Sequence, residues 1–136
     1  PSGPSWLHRV CPTTGLKVSA DAEKLIKAHA VMATVMLLIG GIAAIGVLLT
    51  RWQAVHLLPA EWFYRILTVH GLTMLVFFII FFEMAVLHFA GPVLLNCRQP
   101  APKLGWLAFG LMTVGSLLTE VIMWMGKADV LLSSYV

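Results

Sequence analysis

The sequence predicts an all-α membrane protein with three transmembrane helices and a cytoplasmic N-terminus. Three observations carry that reading. The 136 residues are 60% hydrophobic and only 11% charged, where a soluble domain is about 25% charged, and the mean hydropathy is +0.91. The apolar residues gather into three runs, each long enough to supply the about 20 helical residues that cross roughly 30 Å of hydrocarbon. No run carries a Lys or Arg in its interior. The basic residues, which give a formal charge of +3 and a pI near 9.2, flank the runs, where membrane topology places them. The lipid bilayer is therefore the expected surrounding, and nucleic acid is not an expected partner.

Residues 1–27 read as a polar arm, rich in Pro, Gly and Ser at its start. Ser19, followed by Asp21 and Glu23, makes a helix start with Ser19 as cap. The first span is expected over 28–50, too long for the apolar core of a cleavable signal. The second runs over 66–90 and the third over 104–125. Between them, residues 91–103 contain Pro92, Pro100 and Pro102, which are expected to block a helix and form an ordered loop. Residues 126–136 form a tail on the outer side. Strands are a poor alternative for the spans, because an apolar run in lipid must satisfy its backbone internally and barrel strands alternate apolar with polar.

Orientation follows from the basic residues. Arg9, Lys17, Lys24, Lys27, Arg98 and Lys103 fall on one side, and Arg51, Arg65 and Lys127 on the other, so the N-terminus is expected in the cytoplasm. Cys11 and Cys97 share that side, where thiols stay reduced, and no disulfide is expected.

His70 is the residue that points to chemistry. It lies in Tyr64-Arg65-Ile66-Leu67-Thr68-Val69-His70-Gly71-Leu72-Thr73-Met74, near the outer end of the second run, about 7 Å beyond Arg65 along the axis. An ionisable side chain in a span is costly and marks a function by default, and neutral imidazole is the commonest metal ligand. Judged from the residue alone, two readings stay open: a heme ligand, or a histidine that snorkels or bonds a carbonyl of another helix.

The segment Trp62 to Phe78 resembles the start of the second transmembrane helix of subunit I of the heme-copper oxidases. In that family a Thr-x-His motif supplies one axial ligand of the low-spin heme, and here it matches Thr68-Val69-His70. The similarity continues through Arg98-Gln99-Pro100-Ala101-Pro102-Lys103 and on to Ala128-Asp129-Val130-Leu131. The resemblance implies that His70 binds the iron of a low-spin heme, of type a or b. It also implies that the second axial ligand, the high-spin heme and copper lie on partner helices outside this sequence. Expected partners are the remaining subunit I helices or a split partner chain, and a subunit II-type subunit through which electrons enter. The chain would be a naturally split piece, a fragment of a longer product, or a relative lacking the rest. It would then act as an oxidoreductase of the cytochrome c oxidase type only within a complex, in the plasma membrane of a prokaryote or the inner mitochondrial membrane. The loop after the second span keeps Asn96 but has no acidic residue, a departure from the mitochondrial-type pattern that leans toward divergent B-type oxidases or the related nitric oxide reductases.

Other intramembrane polar residues admit competing readings. His29 and His88 fall near the inner ends of the first and second spans, where a structural role is expected. Paired across the two helices, they would instead make a small membrane cytochrome b with a bis-His heme. A non-catalytic structural subunit of a respiratory complex is the remaining alternative. Glu83 and Glu120 are expected at depths about 13 Å apart, each a protonated carboxyl bonded in the bundle or a stop on a proton path. Gly71 removes bulk beside His70. Thr73 can bond its own helix and is assigned no role. Gly40 and Ala44 form a small-xxx-small pair for close packing of the first span, and Phe77, Phe78, Phe81 and Phe82 read as packing residues.

Overall fold

The computed structural model describes residues 5–128. The polar arm, for which the sequence suggested only a helix start, forms a hairpin of β1 (Leu7–Val10) and β2 (Lys17–Ser19), antiparallel, with Arg9 opposite Val18 and Val10 opposite Lys17. Gly15, at φ +71°, lets the connecting loop close: its N–H donates to the Cys11 carbonyl, and the Cys11 N–H to the Leu16 carbonyl, both at 2.9 Å. The hairpin is held to the first helix by Glu23, which receives Arg9 Nε at 2.9 Å and Lys27 Nζ at 2.5 Å.

Helix α1 (Ala20–Arg51) follows β2 without a break. Ser19 caps it, its Oγ accepting from the Ala22 N–H at 3.3 Å, which satisfies one of the free donors of the first turn. The helix has 32 residues, about 48 Å at 1.5 Å per residue, so it exceeds the hydrocarbon thickness and carries a turn or more beyond it. Its fully buried positions are Ala22, Leu25, His29, Ala33, Met36, Gly40, Ala43 and Thr50. They recur at steps of three and four, with a last step of seven, one stripe down a helix that is apolar all round.

Helix α2 (Ala60–Leu94) has 35 residues and is not uniform. Two stretches, Thr73–Phe78 and Ala90–Leu94, are wound as π-helix. The second corrects the expected loop: Pro92 lies inside the helix, which runs on to Leu94. A proline clashes with the carbonyl four residues back in an α-helix and lacks the N–H; the wider π turn relieves that clash at the helix end. The turn then closes through the Cys97 N–H on the Pro92 carbonyl at 2.9 Å and through Asn96, at φ 52°. Helix α3 (Pro102–Trp124) begins with Pro102 in its first turn, where a missing N–H costs nothing.

Among the described residues three helices are long and apolar enough to span a membrane. α1 touches both α2 and α3. Around one level pack Ala33, Met36 and Phe81; around another, nearer Arg51, pack Ala43, Val69 and Met123. Large apolar side chains such as Leu38, Leu48, Leu75, Leu87, Leu111 and Leu118 remain exposed on all three helices. A three-helix group that keeps so much apolar surface outward requires lipid or further helices around it.

Candidate functional site

The α1 stripe is thin where it meets α2. A Cβ placed on Gly40 would lie 2.5 Å from Met74 Sδ, and one on Gly46 2.9 Å from Ile66 Cδ1. Absent side chains thus allow backbone-level approach. At that approach His70 Nδ1 lies 2.9 Å from the Gly40 carbonyl oxygen. A carbonyl only accepts, so Nδ1 carries the hydrogen and the neutral ring has its lone pair on Nε2. Nε2 has no hydrogen-bond partner among the described residues. His70 is half-buried, and the π-helical stretch begins three residues later at Thr73. Such stretches are rare and frequently occur at functional sites.

On the side toward Ala60, the Arg65 guanidinium lies 4.3 Å from the centroid of the Trp62 ring and 3.2 Å from Glu61. Gly126, at φ +74°, packs against Arg65 so tightly that a Cβ there would collide with the guanidinium. The end of α3 is thereby fixed to α2 one turn from His70.

Thr73, assigned no role from sequence, is fully buried and donates through Oγ1 to Glu120 Oε1. Glu120 is buried on α3. The two acidic residues differ in burial, which their sequence positions did not indicate: Glu120 is buried, whereas Glu83, expected to bond within the bundle or stop on a proton path, is exposed on the surface of the three helices. Nothing in the sequence linked Thr73 with a residue 47 positions later.

His29 and His88 do meet. Their ring centroids are 5.0 Å apart with planes tilted by 39°, and the edge of Phe109 closes on His29 at 4.9 Å. Rings in direct contact leave no gap for a macrocycle between them in this arrangement. His70 and His88 share one helix but lie 18 residues apart, about 27 Å. Among the described residues no three His, Cys, Asp or Glu side chains converge. The tail beyond Ala128, with Asp129, Val130 and Leu131 of the expected similarity, lies outside the described residues.

Two residues that sequence reading missed shape this site. Gly40 was legible as a packing glycine but not as the acceptor for His70, and Thr73 was not legible as the donor to Glu120.

Comparison with known proteins agrees with the fold. The family model described as cytochrome c and quinol oxidase polypeptide I matches residues 24–136, which covers α1 from Lys24 onward and all of α2 and α3. No curated protein and no solved structure matches the chain. A match over most of the chain, on a three-span membrane fold, places this protein in the cytochrome c and quinol oxidase polypeptide I family, the heme-copper oxidase subunit I family.

Proposed function

We propose that this chain is the N-terminal transmembrane part of a terminal heme-copper oxidase and that His70 supplies one axial ligand of its low-spin heme. The family works in multisubunit membrane oxidases that bind heme and copper. The observation that carries the ligand assignment is the His70 Nδ1 contact with the Gly40 carbonyl at 2.9 Å. Histidines that ligate a metal almost always hold their second nitrogen in such a bond, which fixes the tautomer and aims the ring. The ring is thus prepared on one nitrogen and open on the other.

A bound low-spin heme would supply one-electron transfer. The chain's own residues orient and enclose: α1 sets the imidazole plane through Gly40, and the Arg65–Trp62 pair holds that end of α2. One helix supplies one face of the iron, so the second axial ligand, the high-spin heme and the copper belong to further helices of the same subunit or a split partner chain. The exposed apolar faces of all three helices supply the surface on which those helices pack. Electrons enter from a subunit II-type partner on the side of Arg51, Arg65 and Lys127, the outer side by the distribution of basic residues. The lack of an acidic residue in the loop between α2 and α3 favours a B-type member.

Reduced-minus-oxidised spectra of the assembled complex test the assignment. His70→Ala removes the low-spin band while His88→Ala keeps it; an unchanged band in His70→Ala overturns the proposal.

A further inference from the structure

His29 is fully buried, and its Nδ1 lies 2.8 Å from the Leu25 carbonyl oxygen. As at His70, the carbonyl can only accept, so Nδ1 bears the hydrogen and Nε2 is a bare lone pair. That Nε2 is closed from solvent and has no partner among the described residues. The His88 ring lies with its centroid 5.0 Å from that of His29, and its Nε2 is likewise buried and without a partner among the described residues. No hydrogen bond joins the two neutral rings, and two buried polar atoms without partners on adjoining rings are costly to leave so. Their surroundings are otherwise apolar: Phe109 edge-on at 4.9 Å and Phe81 at 6.3 Å from the His29 ring. Gly105 on α3 makes room, since a Cβ there would stand 2.9 Å from Leu25 Cδ1 and 3.6 Å from His88 Cε1.

We propose that His29 and His88 form a binding site for a single proton, held between their Nε2 atoms and joining α1 to α2. The neutral pair carries two ring hydrogens, one of them on His29 Nδ1. The third proton leaves a hydronium ion as water and forms an N–H bond, and no electron is transferred. The resulting imidazolium–imidazole pair keeps the Leu25 carbonyl on His29 Nδ1, shares one N–H between the two Nε2 atoms, and carries a hydrogen on His88 Nδ1. Both buried nitrogens are satisfied by one proton. His88 is only half-buried, so the pair has one side toward the outside of the three helices.

The other ionisable side chains of the packed elements do not face the pair. On α1, Glu23 is engaged by Arg9 and Lys27 and Lys24 is exposed; on α2, Glu83 is exposed, and on α3, Lys103 is exposed. Among the described residues the two rings are therefore the ionisable groups in this contact. The site lies about three turns of α1 and about five turns of α2 from the Gly40–His70 contact, so it does not depend on the heme assignment.

The test uses the full chain in its assembled membrane complex with ¹⁵N-labelled histidine. Solid-state NMR of the unmutated complex is expected to show, on acidification from about pH 8 to 5, a through-hydrogen-bond coupling between the Nε2 nitrogens of His29 and His88. Acid-minus-neutral infrared spectra add a second readout. His29→Phe and His88→Phe each lose the same imidazolium band, and the double variant loses no more. Absence of the coupling, or losses that add in the double variant as for two independent histidines, overturns the proposal.

Discussion

His70 on α2 donates through Nδ1 to the carbonyl of Gly40 on α1, a residue 30 positions earlier, at 2.9 Å. The bond exists because position 40 has no side chain. With Met74 Sδ already 2.5 Å from where a Cβ would sit, any larger residue must displace the Met74 side chain or move the helices apart, and a shift of α1 takes the carbonyl away from the imidazole. Packing and ligand orientation are thus one feature of this interface.

Gly40→Ala therefore acts on both. Overpacking of a well-filled interface costs about 1–3 kcal/mol, and the displaced α1 loosens the His70 ring. The thermal unfolding midpoint of the complex is expected to fall and the low-spin heme band to broaden or shift. Gly40→Ala combined with Met74→Ala, which vacates the space, is expected to recover much of the stability. Gly41→Ala, which meets no atom within 4 Å, is the control and should leave both readouts unchanged.

The Thr73–Glu120 hydrogen bond predicts a strongly non-additive pair. Thr73→Val keeps the shape but strips a buried carboxyl of its donor, at a cost of about 1–3 kcal/mol. Glu120→Leu leaves the Thr73 hydroxyl without its acceptor and is expected to destabilise as well. With both groups apolar the penalty largely disappears, so a double-mutant cycle on thermal or denaturant stability should return a favourable coupling between the two positions. Additive losses would mean the bond contributes nothing.

Cys11, in the loop of the hairpin, provides a pH-dependent readout outside the membrane. A hydrogen bond from the Thr14 side chain, aided by the backbone N–H groups of Thr14 and Thr13, holds its thiol below the ordinary cysteine value. A lowered value enlarges the thiolate fraction at neutral pH, and the thiolate is the reactive form. Alkylation of Cys11 by iodoacetamide should rise with pH about a midpoint below that of a free thiol. Thr14→Val is expected to move the midpoint up and slow the reaction at neutral pH.

Much of the fold was legible because bulk hydropathy decides it: the apolar runs had to be helices, and Ser19 before Asp21 and Glu23 marked the start of α1. The details that build the site were not. The β1–β2 hairpin is seven residues of strand in a polar arm, and its register depends on a turn at Gly15 and on Glu23 reaching back to Arg9. The π-helical stretches leave no trace in α2, where apolar residues fill every face and no periodicity can register an extra residue per turn. Pro92 pointed to a loop because proline breaks an α-helix, and the π winding is the exception that accommodates it. His70 stood out because lipid makes an ionisable residue conspicuous. Its partner Gly40 did not, since a carbonyl is offered by every residue and only the packing selects one.

The central claim is that His70 Nε2 is bonded to the iron of a low-spin heme. Electron–nuclear double resonance on the oxidised, ¹⁵N-histidine-labelled complex measures that bond through the nitrogen hyperfine coupling. A low-spin ferric signal with axial ¹⁵N couplings, one of which disappears in His70→Met while methionine sulfur takes its place, is the result predicted. Axial couplings that survive unchanged in His70→Met would contradict it.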